Sequence, residues 1–205
     1  MKILSICPKS FASNTYALIS DTHAIVIDPS VSADTIIDAV TSAGAKIEKI
    51  LLTHGHFDHI VSIDALRRTS DIKVLIHKDD AEMITDGAKN AFLTFFGRDC
   101  AYSPADATFV GGDEISLGSE TIKIIHTPGH SKGSCCFLCD DFMITGDTLF
   151  SNNIGRCDLW GGDETALLSS LDTLSAYDRN IRIYPGHGPS ELLGNALDNV
   201  AYFRM

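Results

Sequence analysis

Short apolar runs alternate with amphipathic stretches along most of this chain. The runs KILSIC (2–7), TYALIS (15–20) and AIVID (24–28) predict three strands, because each is bounded by Asp, Ser, Asn or Pro. A helix is predicted from Ser32 to Ala43, with Ile36, Ile37 and Val40 on one face and Gly44 ending it. IEKILLT (47–53) then predicts a buried strand.

The alternation continues to the end of the sequence. A helix is predicted from Asp58 to Arg68, then the strand KVLIH (73–77) and a short helix from Lys78 to Thr85, whereas residues 86–107 are less regular. Strand-like runs TIKIIHTPGH, SCCFLCD and DFMITGD precede a helix from Glu164 to Tyr177, the strand IRIYPGHG and a helix from Glu191 onward. Two similar halves predict an α/β fold, an αββα sandwich of two mixed β-sheets flanked by helices, in one domain over residues 1–205.

Composition narrows the class of protein. The 205 residues are 44% hydrophobic and 21% charged, which is typical of a globular protein with a core. The formal net charge of −11 disfavours nucleic acid as a partner. No run approaches the roughly 20 apolar residues of a membrane helix, and the start, Met1 to Cys7, is too soon polar for a secretion signal. We therefore expect a cytoplasmic protein with a small-molecule substrate, and the oligomeric state stays open.

Polar residues gather just after the apolar strands, each beside glycine. The densest stretch is THGHFDH, residues 53–59. Similar groups surround His130, Asp147 and His187, and a fourth includes Arg156. Strand exits meet at one rim of a sheet, where loops carry function, so these groups are expected to lie together.

The spacing within THGHFDH indicates a metal site. His54 and His56 project to the same side of an extended loop and can reach one ion, with His130 as a third ligand. Asp58 and His59 follow where the chain turns, and with His187 they suit a second ion. A carboxylate can bridge two ions because it has two oxygens. Asp147 is expected in that place, with a hydroxide between the metals.

The simpler alternative for any one of these residues is an ordinary turn, since Asp58 suits the N-cap of a helix. The ordered set favours the metal interpretation. His23 and His77 lack such companions and are expected to be surface or core residues, whereas His126 is expected to have a supporting or structural role. Cys136 and Cys139 are expected to be structural thiols on opposite faces of a strand.

The motif His54-x-His56-x-Asp58-His59, followed by His130, Asp147 and His187, resembles that of the metallo-β-lactamase superfamily across essentially the whole chain. The resemblance implies the same αββα fold and the same assignment of ligands to two metals. These are expected to be zinc, although iron and manganese also suit the ligands.

The segment from Gly146 to Asp163 resembles the hydroxyacylglutathione hydrolases, or glyoxalase II, in their short single-domain type. The resemblance implies hydrolysis of thioesters such as S-lactoylglutathione, with Asp58 and Asp147 as catalytic residues. Persulfide dioxygenases, which use one iron, carry a segment like Gly155–Asp158 and are the main alternative. A different ester or lactone hydrolase is another, and a metal-binding protein without turnover is disfavoured by the complete ligand set.

Other branches of the superfamily fit less well. One β-lactam-hydrolysing branch uses a cysteine ligand and another lacks the bridging Asp, so the presence of Asp147 argues against hydrolysis of β-lactams. His56 stands where the flavodiiron branch has Glu, which argues against a di-iron oxygen reductase. Arg156 is expected to bind an anionic substrate or to pair internally with Asp158 or Asp163. Four aromatic residues are expected to form an apolar wall or part of the core: Phe92, Phe95, Phe96 and Tyr102.

Overall fold

The computed structural model describes residues 1–7 and 13–204. Its first sheet has six strands in the order β1-β2-β3-β4-β5-β6. Strands β1, β2 and β3 pair antiparallel, and β3 to β6 pair parallel, so the sheet is mixed. The strands are β1 (Lys2–Ile6), β2 (Thr15–Ser20), β3 (His23–Ile27), β4 (Lys46–Leu51), β5 (Lys73–His77) and β6 (Ala107–Phe109).

The second sheet also has six strands, in the order β12-β11-β10-β9-β8-β7. Only β10 and β11 are parallel neighbours among them. The strands are β7 (Glu114–Leu117), β8 (Glu120–His126), β9 (Cys135–Leu138), β10 (Phe142–Gly146), β11 (Arg182–Pro185) and β12 (Glu191–Leu192). The helices are α1 (Ala33–Ser42), α2 (Ile63–Arg67), α3 (Phe92–Phe96), α4 (Glu164–Ser175) and α5 (Leu193–Asn199).

Three apolar clusters show how these elements stack. Alternate residues of β2 point to opposite faces, so Leu18 packs between the sheets with Phe137 of β9. Ala17, on the other face, packs with α1 and α2. A third cluster joins the outer face of the second sheet to α4 and α5. The result is the αββα sandwich of two mixed sheets that the sequence predicted, and each described helix is too short or too polar to cross a bilayer.

The predicted helix from Asp58 to Arg68 is divided in two. A 3₁₀ turn spans Phe57–His59, and α2 begins only at Ile63. The amide of Ser62 donates to Pro29 O at 2.9 Å, so the helical hydrogen-bond ladder stops before it. Because of this break, Asp58 and His59 lie in a separate turn and not in α2.

Other boundaries also differ from the prediction. The expected helix over Lys78–Thr85 is a 3₁₀ turn, Lys78–Asp80, followed by turns, because Met83 N donates three residues back to Asp80 O. The last long helix begins at Leu193 after the short β12. The strands β6 and β7 and the helix α3 were not predicted.

Candidate metal centre

The loops that leave β4, β8, β10 and β11 meet at one edge of the sandwich. They bring together the seven side chains that the sequence singled out: His54, His56, Asp58, His59, His130, Asp147 and His187. These form overlapping groups of three in which the nitrogen and oxygen atoms lie within 4.8 Å of one another. The structure therefore places the predicted set in one site, built by both sheets.

Three ring nitrogens converge in the first group. The Nε2 atom of His130 lies 2.8 Å from His56 Nδ1 and 3.2 Å from His54 Nε2. The other nitrogen of His130 donates to the Arg156 carbonyl at 2.7 Å, so Nε2 carries the lone pair when the ring is neutral. Lone pairs that face one another repel, and a cation between them would remove the repulsion.

Asp58, His59 and His187 form the second group. The His187 Nε2 atom is 3.3 Å from Asp58 Oδ2, and His59 Nε2 is 3.9 Å from the same oxygen. Asp147 lies between the two groups. Its Oδ1 is 3.3 Å from His59, and its Oδ2 is 3.6 Å from His130 and 3.5 Å from His187. One carboxylate thus faces both histidine groups.

Asp28 supports this arrangement, and the sequence analysis did not identify it as a site residue. Its Oδ2 accepts from His59 Nδ1 at 2.9 Å and from the Thr53 hydroxyl at 2.6 Å, and its Oδ1 accepts from Thr53 N at 2.8 Å. The Thr53 hydroxyl lies 3.0 Å from His54 Nδ1. The buried carboxylate therefore orients one histidine of each group. Its position directly after β3, another strand exit, was the signal that could have revealed it.

Asp80 was also missed, and it joins two of the loops. Its oxygens accept from Gly55 N at 3.2 Å, Gly133 N at 2.7 Å and the Ser131 hydroxyl at 2.6 Å. Burial raises the pKa of Asp80, and these three donors oppose that shift. The carboxylate fixes the loop of His54 and His56 against the loop of His130.

The electrostatics divide the histidines into two kinds. Burial, with His59 as a neighbour, holds the pKa of His54 well below its ordinary value, and burial and His130 lower the pKa of His56 to about 3. Burial would also lower the pKa of His187, but Asp147 and Asp58 outweigh it and raise the pKa to about 9. His54 and His56 are thus neutral imidazoles, the form that binds metals.

The carboxylates of Asp58 and Asp147 are ionised. Burial opposes the charge of Asp147, yet His59 and His187 hold its pKa well below the ordinary range. Asp58 behaves alike, since His59 and His187 outweigh burial and lower its pKa. The same carboxylates raise the pKa of His59 well above its ordinary value despite burial. The imidazolium groups of His59 and His187 therefore balance the charge of the two carboxylates, a role that bound divalent cations would take over.

Unpartnered atoms test whether the donor set fits a cation. Among the residues that the structure describes, the buried atoms without a hydrogen-bond partner include His56 Nε2, His59 Nε2 and Asp147 Oδ1. Buried polar atoms are nearly always paired, so such a concentration needs an explanation. Two of these atoms, on His59 and Asp147, face each other across the site. Imidazole and carboxylate donors of this kind fit zinc or iron.

Comparison with known proteins identifies the family. The model of the metallo-beta-lactamase superfamily matches residues 9–187. The chain belongs to this superfamily. The probable metallo-hydrolase YqgX of Bacillus subtilis is 35% identical over 180 residues, which cover 86% of this chain and 85% of the relative.

Two solved structures of the superfamily's fold are similar over nearly their whole length. The BLEG-1 B3 metallo-beta-lactamase has a TM-score of 0.91 and 33% identity, with 100% of both chains covered. TTHA1623, solved in a di-iron-bound form, has a TM-score of 0.81 and 29% identity, with 95% of this chain and 96% of that chain covered. These comparisons show the superfamily and its fold.

A cleft of about 790 Å³ opens beside the candidate metal centre. Most of the other predicted site residues lie in its walls. Arg156, Phe95 and Phe96 line it, and Phe92 packs edge-on against Phe57 in its wall. Tyr102 instead packs against the core under α1 and α2. Three of the four aromatic residues therefore belong to the site, and the fourth belongs to the core.

Arg156 does pair internally, as one of the two alternatives proposed. Its Nε and one terminal nitrogen each lie 2.6 Å from an oxygen of Asp158. The guanidinium also lies over the ring of Phe95, at 5.7 Å. Its forked donor face is thus occupied within the chain.

The remaining histidines and cysteines lie outside the centre. His77 does have companions, contrary to expectation: it is buried, its ring stacks on His126 at 4.1 Å, and Asp79 lies 3.7 Å away. His126 supports the loop of His130 by a 2.9 Å hydrogen bond to the Lys132 carbonyl, a structural role of the kind expected. His23 pairs with Glu48 at the surface.

The two cysteines of the CxxC pair behave as structural thiols. Cys136 packs on the helix side of the second sheet, and Cys139 packs between the sheets. Both are buried and free, and burial raises the pKa of each thiol to about 11 and 12, respectively. The opposite-face prediction is confirmed.

Proposed function

We propose that this chain is a metal-dependent hydrolase with a dinuclear centre. His54, His56 and His130 would hold one ion, and Asp58, His59 and His187 the other. The observation that carries the proposal is Asp147, whose carboxylate faces histidines of both groups at 3.3 to 3.6 Å. The name of the relative YqgX, a probable metallo-hydrolase, supports the same class of activity.

The donor set suits zinc, and the di-iron form of TTHA1623 supports iron as an alternative. Bound ions would lower the pKa of a water toward roughly 7 and polarise the carbonyl of the substrate. Asp28 and Asp80 position the histidines for this role, since they fix ring orientation and the approach of the loops. We expect the second group to lose its ion first when Asp147 is changed.

The two catalytic carboxylates would have different tasks. The Asp58 side chain is 24% exposed and lines the cleft, whereas that of Asp147 is 10% exposed. Asp58 can therefore orient the attacking water and accept its proton at Oδ2, next to the His187 ring. A thioester suits this site because a thiolate leaves without protonation.

Thioester hydrolysis is the proposed reaction, and S-lactoylglutathione is the first substrate to test. The segment from Gly146 to Asp163, which resembles glyoxalase II, supports it. Since BLEG-1 is a B3 metallo-beta-lactamase, a β-lactam belongs in the same assay panel. Asp147 argues that the β-lactam will be the poorer substrate.

Metal analysis and turnover test the proposal together. The purified protein, loaded with zinc or iron, is expected to bind two ions per chain and to cleave a thioester. His54→Ala is expected to lose one ion and most activity, while His23→Ala is a matched control because His23 lies at the surface with Glu48. A single iron with oxygen uptake on glutathione persulfide would instead establish the dioxygenase alternative.

A further inference from the structure

The cleft beside the metal centre is mostly apolar, whereas S-lactoylglutathione, the first proposed substrate, is polar and charged. Among the residues that the structure describes, fourteen line the cleft, and five of these are candidate metal ligands. Eight of the other nine have apolar side chains. Arg156 is the ninth. The lining thus offers hydrocarbon contact and very little hydrogen bonding.

One wall is made by α3 and the loop that carries the metal ligands. Phe95 and Phe96 are 52% and 55% exposed, and both line the cleft. Their ring centroids lie 5.7 and 5.4 Å from that of Phe57, the residue that precedes Asp58. Val61 lies beside them and is also exposed. A joined patch of exposed apolar side chains at a cleft indicates a binding surface.

A second apolar wall reaches the metal ligands. Phe150, Ile154 and Leu159 line it. The Phe150 ring packs edge-on against His187 at 6.0 Å. A carbonyl held at the metal centre would therefore have its adjoining chain in contact with apolar walls.

Arg156 is the one arginine or lysine among the described residues that line the cleft, and it already pairs within the chain. Its Nε and one terminal nitrogen each hydrogen-bond to Asp158 at 2.6 Å, so that side of the guanidinium is occupied. Glutathione carries carboxylates and an ammonium group that need partners. Among the described residues that line the cleft, the acidic ones are the candidate metal ligands Asp58 and Asp147.

We infer that the site accepts an ester or thioester with a bulky apolar acyl chain attached to a small uncharged leaving group. This inference rests on the proposed hydrolase function. In the thioester case, the water oxygen bonds to the acyl carbon as the carbon–sulfur bond breaks, and the products are the fatty acid and the thiol. The acyl chain lies between the two walls, and the centre holds the carbonyl.

The test compares acetyl, butanoyl and hexanoyl thioesters of N-acetylcysteamine with S-lactoylglutathione on the metal-loaded protein. Each added methylene is expected to raise kcat/KM roughly fourfold, the factor for burying one methylene group. Phe95→Ser/Phe96→Ser is expected to flatten this dependence. Leu93→Ser is the matched control, because Leu93 is exposed on the same helix but does not line the cleft.

Calorimetric binding of butanol, hexanol and octanol gives a second readout that requires no turnover. Affinity is expected to rise with chain length in the wild type and in Leu93→Ser, and to rise less in the double variant. Chain-dependent binding without cleavage of any thioester would refute the hydrolase and leave the apolar site. Cleavage of S-lactoylglutathione with no chain dependence in either assay would overturn the inference and keep the hydrolase.

Discussion

Gly186 is a crowded backbone position beside the metal centre, and adding one methyl group there perturbs the centre directly. A Cβ atom at Gly186 would lie 2.1 Å from Asp147 Oδ1 and 2.7 Å from His59 Cε1. The backbone of Gly186 is not in the left-handed region, so alanine adds crowding without conformational strain. Gly186→Ala therefore acts on two proposed ligands of the second ion.

The expected effect follows from the size of the overlap. Asp147 Oδ1 must retreat by about 1 Å to reach an ordinary contact, whereas metal–ligand distances tolerate about 0.2 Å. Changes in groups that only support ligands weaken metal affinity by roughly 10- to 100-fold. Displacing a bridging ligand is expected to reach at least the upper end, on the order of 3 kcal/mol of binding free energy.

The assay is a chelator-competition titration of both metal affinities, together with urea unfolding of the metal-free protein. Gly188→Ala is the control, because Gly188 has φ +79° and nothing lies within 4 Å of the position that its added methyl group would take. It is expected to cost about 1 kcal/mol of folding stability and to keep both affinities. Two ions bound by Gly186→Ala with unchanged affinity would refute the bridging role of Asp147.

Three further predictions follow from the same geometry. Asp28→Asn should lower the unfolding free energy by about 2 kcal/mol in urea, because a buried charged acceptor is lost; equal stability would contradict this. The pKa of His77 is lowered by burial and His126 to about 4, so the unfolded chain gains its proton first. The contribution of His77 to stability should therefore fall by up to about 3 kcal/mol from pH 6.5 to 4, and His77→Asn should make the pH dependence of urea unfolding shallower by that amount; parallel slopes in the two proteins would refute this. Arg156→Met should change KM for S-lactoylglutathione less than about fivefold, as for an exposed ion pair; a larger rise would restore Arg156 as an anion site.

The proximity of the site residues could be predicted because it depends on a general property of sheets. His54, His130, Asp147 and His187 all follow strands, and strand exits meet at one rim. The alternation of apolar residues was equally informative for long elements such as α1 and α4. Short elements lack a full period, which is why α3 escaped prediction although its rings line the cleft.

The contacts of the supporting carboxylates were missed for a different reason. Asp28 and Thr53 are 25 residues apart, and Asp80 and Gly133 are 53 apart. Nothing in the local pattern near Asp80 distinguishes a buried acceptor from a solvated turn residue. Likewise, the pairing of Ser62 with Pro29, which divides the predicted helix, is a long-range contact. Local periodicity does not contain such pairings.

Both proposed ion sites take ligands from loops of both sheets: His54 and His56 come from the first, and His130 and His187 from the second. An ion bound there would therefore act as a reversible cross-link at the rim of the sandwich. Unlike a disulfide, which restricts the unfolded chain, the ion would stabilise the folded chain by mass action, so the strength of the cross-link would depend on the free metal concentration. Resistance to heat and proteolysis would then report metal supply in the cell as directly as turnover does.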